Sequence, residues 1–153
     1  VTRGFASLLQ AMVRGQAALS VDLPDEPLVV AGSASQIQQI LLNLVVNARD
    51  ALEYRGHIDV ELRRLEVEGA ARALIRVRDD GPGMTEAVRQ RLFEPFFTTK
   101  PEGTGWGLTI VREVVDALGG TVSVVSSPGR GTTFEILLPL DDGEDQSPNV
   151  ASE

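Results

Sequence analysis

The sequence predicts an α+β fold, a two-layer α/β sandwich with one mixed, mostly antiparallel sheet packed on helices. Three observations predict it. Ile37, Ile40, Leu41, Leu44, Val45, Ala48 and Leu52 hold an i, i+3, i+4 pattern without a miss, which marks a long amphipathic helix. From His57 to Leu65, Ile58, Val60 and Leu62 alternate with Asp59, Glu61 and Arg63; after the turn "EVEGAA", Ala73, Ile75 and Val77 alternate with Leu74, Arg76 and Arg78. These are two half-buried strands. Helices are followed by pairs of strands rather than alternating strictly with single strands, which favours an antiparallel sheet.

The remaining elements follow in order. Phe5, Leu8, Leu9, Met12 and Val13 fall at helical spacing, so the first fifteen residues read as a helix. "SVDLPDEPLVVAGS" reads as two short strands broken by Pro24 and Pro27, and Ser33 or Ser35 can cap the long helix. A short helix spans Thr85 to Phe93. "EPFFTTKPEG" has no period and reads as a loop, a candidate mobile segment. Leu108 to Leu118 is a helix stopped by Gly119 and Gly120. Thr121 to Ser126 and Thr133 to Leu140 are strands joined by the turn "SPGRG".

The totals bound the function. A chain of 153 residues is one domain with room for a proper core. No run of eighteen apolar residues predicts a membrane span, and no signal peptide opens the chain. Beginning at Val1 rather than Met, the chain is expected to be a piece of something longer. Cysteine is absent and His57 is the single histidine, which argues against disulfides and a zinc site. The net charge of −8 argues against nucleic acid or an acidic membrane surface as partner. Asp141, Asp142, Glu144, Asp145 and Glu153 lie in residues 141–153 without Lys or Arg, and without those five the balance is 17 acidic against 14 basic. The end therefore reads as a solvated acidic tail or linker.

Four patches carry candidate chemistry. On the long helix, Gln36, Gln39, Asn43, Asn47 and Asp50 fall in one stripe roughly 80° wide. Asn43 and Asn47 sit one turn apart with apolar neighbours on both sides. Asparagine is a mediocre helix former, and its carbonyl oxygen is a plausible ligand for a hard cation shared with phosphates. In "RDDGPGM", Asp79 continues the face of Ala73, Ile75 and Val77; a carboxylate there must find donors. An adenine amino group is one such donor, and Gly81 and Gly83 let the backbone turn sharply beside a flat base. In "LFEPFFTTK", Phe96 and Phe97 can pin a lid against the core while Thr98, Thr99 and Lys100 reach phosphates. In "GTGWGL", a glycine-rich turn offers free N–H groups at the start of a helix. Each has an ordinary structural explanation alone: satisfied core asparagines, a strand-ending Asp-Gly turn, a loop anchored by aromatics, a flexible helix entry.

Their order and spacing resemble one family, the ATP-binding catalytic domain of sensor histidine kinases within the GHKL superfamily of gyrase-like ATPases. "NLVVNARDA" resembles the N box, "DDGPGM" the first glycine box, "FEPFFTTK" the F box, "GTGWGL" the second glycine box and "GRGTTF" the last. The resemblance runs from about Val21 to Leu140. It divides the chain into residues 1–20, the end of a helical linker from an absent dimerisation domain; residues 21–140, the catalytic domain; and residues 141–153, the tail.

The resemblance implies ATP and Mg2+ as ligands and a mobile ATP lid from Phe93 to Gly105. Asn47 matches the Mg2+ ligand, and Asn43 supports the phosphates from the position where ATPase members carry a water-activating glutamate. Asparagine cannot be that base, so transfer rather than hydrolysis is implied. Asp79 matches the adenine-reading aspartate, Thr133 the threonine that helps it through water, and Gly81, Gly83 and Met84 the loop beside the base. Asp50 closes the N-box stripe. Phe96, Thr98, Thr99 and Lys100 line the lid, with Lys100 the cation for the γ-phosphate. Gly103, Thr104, Gly105, Trp106, Gly107 and Leu108 close over the phosphates. The implied acceptor is a histidine on a separate dimerisation and histidine phosphotransfer domain, from which a response-regulator receiver domain takes the group. Nucleic acid and direct membrane contact are not expected, and the implied location is cytoplasmic whether or not the parent is membrane-anchored.

His57, at a strand start beside Gly56, reads as a turn or strand-edge histidine rather than a phosphorylation site, so the chain is expected to bind ATP without phosphorylating itself. Three positions depart from the family's pattern: Ser33 where aspartate is common, Gln39 where a charge is common, and Trp106 where leucine is usual. Two rival readings stand beside transfer. One is a self-contained ATPase. The other is a degenerate nucleotide-sensing or ligand-binding module, in which Trp106 and Tyr54 stack on a second ligand.

Overall fold

The computed structural model describes residues 3–53, 55–99 and 107–141. The elements are α1 (Arg3–Val13), β1 (Ala18–Asp22), α2 (Ala34–Ala51), β2 (His57–Val67), β3 (Ala70–Asp79), α3 (Glu86–Arg91), α4 (Gly107–Ala117), β4 (Thr121–Ser126) and β5 (Thr132–Pro139). The sheet order is β1-β2-β3-β5-β4. β1 pairs parallel with β2, and the other three pairings are antiparallel. A parallel pair needs a long crossover, and α2 supplies it. β2 and β3 need only Glu68 and Gly69, whose φ values of 51° and 79° suit a two-residue hairpin turn.

The capping predicted for α2 is present. Ser33 Oγ accepts the Gln36 N–H at 3.2 Å, and Gln36 Oε1 accepts the Ser33 N–H at 2.9 Å. Each group satisfies a donor the first turn would otherwise leave open. Ile40, Leu41, Leu44, Val45 and Ala48 then bury one face of α2, beside Val111 and Val115 of α4. Opposite them lies a single sheet face: Ile58 and Val60 of β2, Ala73, Ile75 and Val77 of β3, and Phe134, Ile136 and Leu138 of β5. The period-2 alternation puts the other strand residues outside, where Arg76 bridges three strands through Glu61 at 2.6 Å and Glu135 at 3.0 Å.

Two expectations need correction. The apolar piece "PLVV" is not a strand; it makes one bridge, Val30 to Leu140. Pro27, which opens the piece, has no N–H for a ladder, and beside the bridge the Asp141 N–H donates to Val29 O at 2.8 Å. The boundary expected after Ser20 falls inside β1, and α1 buries Leu9 and Val13 in the same core as α2. Residues 3–20 thus pack as part of the layered unit. The tail beyond Asp141 lies outside the described residues. None of the described helices is long and apolar enough to cross a membrane.

Leu9 is fully buried and its neighbour Leu8 is 52% exposed, so the two separate packing from linkage. Leu9→Ala is expected to lower the unfolding free energy by about 2–5 kcal/mol and Leu8→Ala by less than about 0.5 kcal/mol, read from urea unfolding curves. Equal, small effects would return α1 to the role of a linker.

Candidate functional site

Asp79 ends β3 with its side chain on the core-facing side, 4% exposed. Burial obliges it to find donors, and it uses backbone ones: the Gly81 N–H at 2.9 Å and the Thr132 N–H. Burial is the largest influence on its pKa and raises it; the two backbone hydrogen bonds pull the other way, and the Asp80 charge adds to the rise. Asp80 itself is turned away, accepting the His57 N–H at 2.8 Å.

Two glycines let the backbone close around this carboxylate. Gly131 has φ +72°, and a Cβ there would lie 2.1 Å from the Asp79 carbonyl oxygen; Gly83 has φ +71°, and a Cβ would lie 2.0 Å from the Ser127 carbonyl oxygen. Neither position admits a side chain. The loop 80–84 is thereby clamped onto the β4–β5 turn, with Gly129 N–H donating to Pro82 O at 2.7 Å and Met84 N–H to Ser126 Oγ at 2.8 Å. On its other side the loop meets the end of α2, since a Cβ on Gly81 would lie 3.5 Å from Ala51 O.

The α2 stripe runs back from that contact, with Asn47 about one turn and Asn43 about two turns before Ala51. Asn43 and Asn47 are half-buried. The Asn43 Nδ2 is fully buried and has no hydrogen-bond partner among the described residues. An unsatisfied buried amide is costly, so the site suits a ligand that brings an acceptor. Asp50 is at the exposed end of the stripe, 3.2 Å from Arg49 Nη2, and Arg49 Nη1 also reaches the Met12 carbonyl. The described residues hold no group of three or more His, Cys, Asp or Glu side chains able to hold a metal. A cation here would take the Asn47 carboxamide oxygen and draw its other ligands from phosphate and water, which suits Mg2+.

The F-box region is built differently from expectation. Phe96 does not pin the loop: it is 70% exposed and holds φ +65°. Phe93 is the anchor, edge-on to Phe134 with centroids 6.4 Å apart, under the Arg112 guanidinium at 5.5 Å. Thr109 Oγ1 donates to the Phe93 carbonyl at 3.2 Å and fastens this root of the loop to α4. Arg91 covers Phe97 at 4.5 Å. Thr98 and Thr99 are exposed. Gly107 opens α4 as the glycine-rich turn predicts, and Leu108 packs on the core. Lys100, Gly103, Thr104, Gly105 and Trp106, and Tyr54 with them, lie outside the described residues.

A model of the family described as histidine kinase-, DNA gyrase B-, and HSP90-like ATPase matches residues 32–142. The chain belongs to this family. Among curated relatives it is 37% identical over 125 residues to the sensor histidine kinase ZraS of Klebsiella oxytoca, covering 80% of this chain and 26% of that protein. It is 37% identical over 139 residues to the C4-dicarboxylate transport sensor protein DctB of Rhizobium meliloti, covering 90% of this chain and 22% of that protein. The chain thus spans about a quarter of the length of these relatives. Among solved structures, a catalytic domain of histidine kinase ThkA superposes with a TM-score of 0.75 at 29% identity, covering 90% of this chain and 88% of that one. Full-length ShkA in complex with AMPPNP superposes with a TM-score of 0.70 at 30% identity, covering 90% of this chain and 29% of that one.

Within this histidine-kinase-like fold, Thr133 needs correcting. The β3–β5 register pairs Asp79 with Thr132 and Arg78 with Thr133. Thr132 is buried beside the carboxylate; Thr133 points to the other sheet face. The signal was in the sequence, because Thr132 is in phase with Phe134, Ile136 and Leu138. Ser126, Phe93 and Thr109 also escaped the sequence reading, since their roles depend on contacts between distant segments. A cavity of about 420 Å3 lies elsewhere, between Arg3, the Pro24–Pro27 loop and the Ala73 end of β3, and holds none of the predicted site residues.

The raised pKa of Asp79 sets the sign of a pH effect. The folded chain holds that proton more tightly than the unfolded chain, so stability is gained as pH falls through the raised value and lost above it. Asp79→Asn is expected to raise the urea midpoint at neutral pH and to remove the acid-side gain seen in the parent. A lowered midpoint at neutral pH would show the charge to be stabilising instead.

Proposed function

We propose that this chain binds ATP with Mg2+ and donates the γ-phosphoryl group to a histidine on a separate dimerisation and phosphotransfer domain, from which a response-regulator receiver domain takes it. The carrying observation is the buried Asn43 amide, which has no hydrogen-bond partner among the described residues and sits one helical turn from Asn47. It offers a neutral donor where a phosphate oxygen supplies the missing acceptor. AMPPNP, bound by the related ShkA, carries that chemistry. The curated relatives are sensor kinases, which supports transfer to a protein acceptor.

Each residue has a defined task in this reading. Asp79 accepts a hydrogen bond from the adenine 6-amino group. Asn43 donates to a phosphate, and Asn47 presents its oxygen to the cation. Mg2+, when bound, neutralises phosphate charge as the transfer proceeds. Gly107 and the first turn of α4 direct backbone N–H groups toward the phosphates, with Thr104 and Lys100 before them on the lid. In the transfer the histidine ring nitrogen forms a bond to Pγ while the bond from Pγ to the bridging oxygen breaks. That oxygen leaves on ADP with the electron pair, and the ring proton passes to solvent. No carboxylate occupies the Asn43 position to activate water, so positioning favours the histidine over hydrolysis. His57, bonded to Ser20 and Asp59 at a strand end, is not the acceptor in this reading.

The test is to incubate the chain with the parent's dimerisation domain and γ-labelled ATP. Acid-labile label on that domain, and none on the chain alone, is expected; steady phosphate release without label would favour the ATPase reading. Two variants check the roles, with Trp106 fluorescence as readout. Asn47→Ala is expected to raise the Mg2+ concentration for half-maximal ATP binding by at least about 10-fold. Asp79→Asn is expected to weaken ATP binding by about 10- to 100-fold, a charged hydrogen bond being lost.

A further inference from the structure

Ser126 ends β4 at a junction of three segments. Its Oγ lies 2.8 Å from Met84 N, 2.9 Å from Gly131 O and 3.0 Å from Thr132 Oγ1. A serine hydroxyl has one proton to give and two lone pairs. Met84 N–H only donates, so it takes one lone pair. Gly131 C=O only accepts, so it takes the proton. Toward Thr132 only an acceptor remains, and Thr132 must therefore give its own proton to Ser126. The Thr132 oxygen is left facing its surroundings with lone pairs alone. Thr132 pairs directly with Asp79 across β3 and β5, and both side chains are buried on the same face. Asp79, when ionised, is likewise an acceptor.

We propose that Ser126 is a positioning residue that fixes the Thr132 hydroxyl as an acceptor and thereby makes this corner select 6-aminopurine over 6-oxopurine nucleotides. The inference rests on the nucleotide reading of the Asp79 corner. A water bridging to Thr132 must give one proton there and keeps the other for an acceptor on the base. Adenine offers a 6-amino donor to Asp79 and the acceptor N1 to that water. Hypoxanthine reverses both positions, with an oxygen at C6 and a proton on N1. A Ser126 without its hydroxyl releases the Thr132 proton, and the corner tolerates either edge.

The experiment compares binding of Mg-ATP and Mg-ITP to the chain and to Ser126→Ala, Ser126→Thr, Thr132→Val and the Ser126→Ala/Thr132→Val double variant. The parent is expected to prefer ATP. Ser126→Ala is expected to reduce the ATP-to-ITP preference about 10-fold and Ser126→Thr to retain it. Loosening of the junction alone lowers both affinities together and leaves the ratio unchanged. In the Thr132→Val background the Ser126 change is expected to add nothing to the ratio. An unchanged ratio in Ser126→Ala, or the same ratio change with and without Thr132, overturns the proposal. Thr132→Val removes the proposed acceptor itself and serves should Ser126→Ala not fold: a parental ratio there also overturns the proposal. A parent chain that binds neither nucleotide fails the nucleotide reading itself, a result distinct from binding both equally.

Discussion

A carboxylate carried on the core-facing side of a strand has to be solvated by the protein, and Asp79 imposes that requirement on everything around it. Its donors are two backbone N–H groups, from Gly81 and Thr132, on segments about fifty residues apart in the chain. To reach it, the loop after β3 and the turn after β4 must come within van der Waals distance of each other. Gly83 and Gly131 permit that approach, because a methyl group at either would overlap a carbonyl oxygen. The loop also backs onto the end of α2, the helix that carries the asparagine stripe. The glycine boxes are thus a packing device as much as a ligand device. Backbone satisfaction leaves the carboxylate in place but not fully relieved, since burial still outweighs the hydrogen bonds and raises its pKa.

The fold therefore holds two poised groups. Asp79 is a buried acceptor whose pKa burial raises, and Asn43 is a buried donor with no acceptor among the described residues. Such defects belong at binding sites, where a ligand completes what the fold leaves open. The two differ in sign and sit on different elements, one on the sheet and one on α2. A ligand that satisfies both carries a donor for Asp79 and an acceptor for Asn43.

The lid roots obey a different rule. Phe93 is held by stacking against Phe134, by Arg112 and by the Thr109 hydroxyl, so the loop leaves the core from a fixed point and returns to α4 two residues before Thr109. Phe134 lies on β5 two residues from Thr132 and on the same face, so the lid root and the Asp79 corner share one strand. Phe96, by contrast, carries an exposed ring on a left-handed backbone, and its place is outside the core.

Local pattern alone determined a great deal about this protein. The 3.6-residue period of α2, its Ser33 cap, the alternation of β2 and β3, and the Asp79 phase follow from near neighbours, while the boxes were assigned by the resemblance of their order and spacing to one family. The same alternation, followed back from Leu138, also carried Thr132 on the buried face, though the sequence reading chose Thr133. Tertiary structure decided what depends on distant partners. It placed α1 and β1 inside the domain because Leu9 and Val13 find α2 to pack on, and it left the piece at Val30 with one bridge, to Leu140. It replaced Phe96 with Phe93 as anchor, because which phenylalanine is buried depends on where Phe134 lies. It made Ser126 a junction, since a hydroxyl's role is set by which donors and acceptors the fold brings within 3 Å of it, and no spacing along the chain contains that.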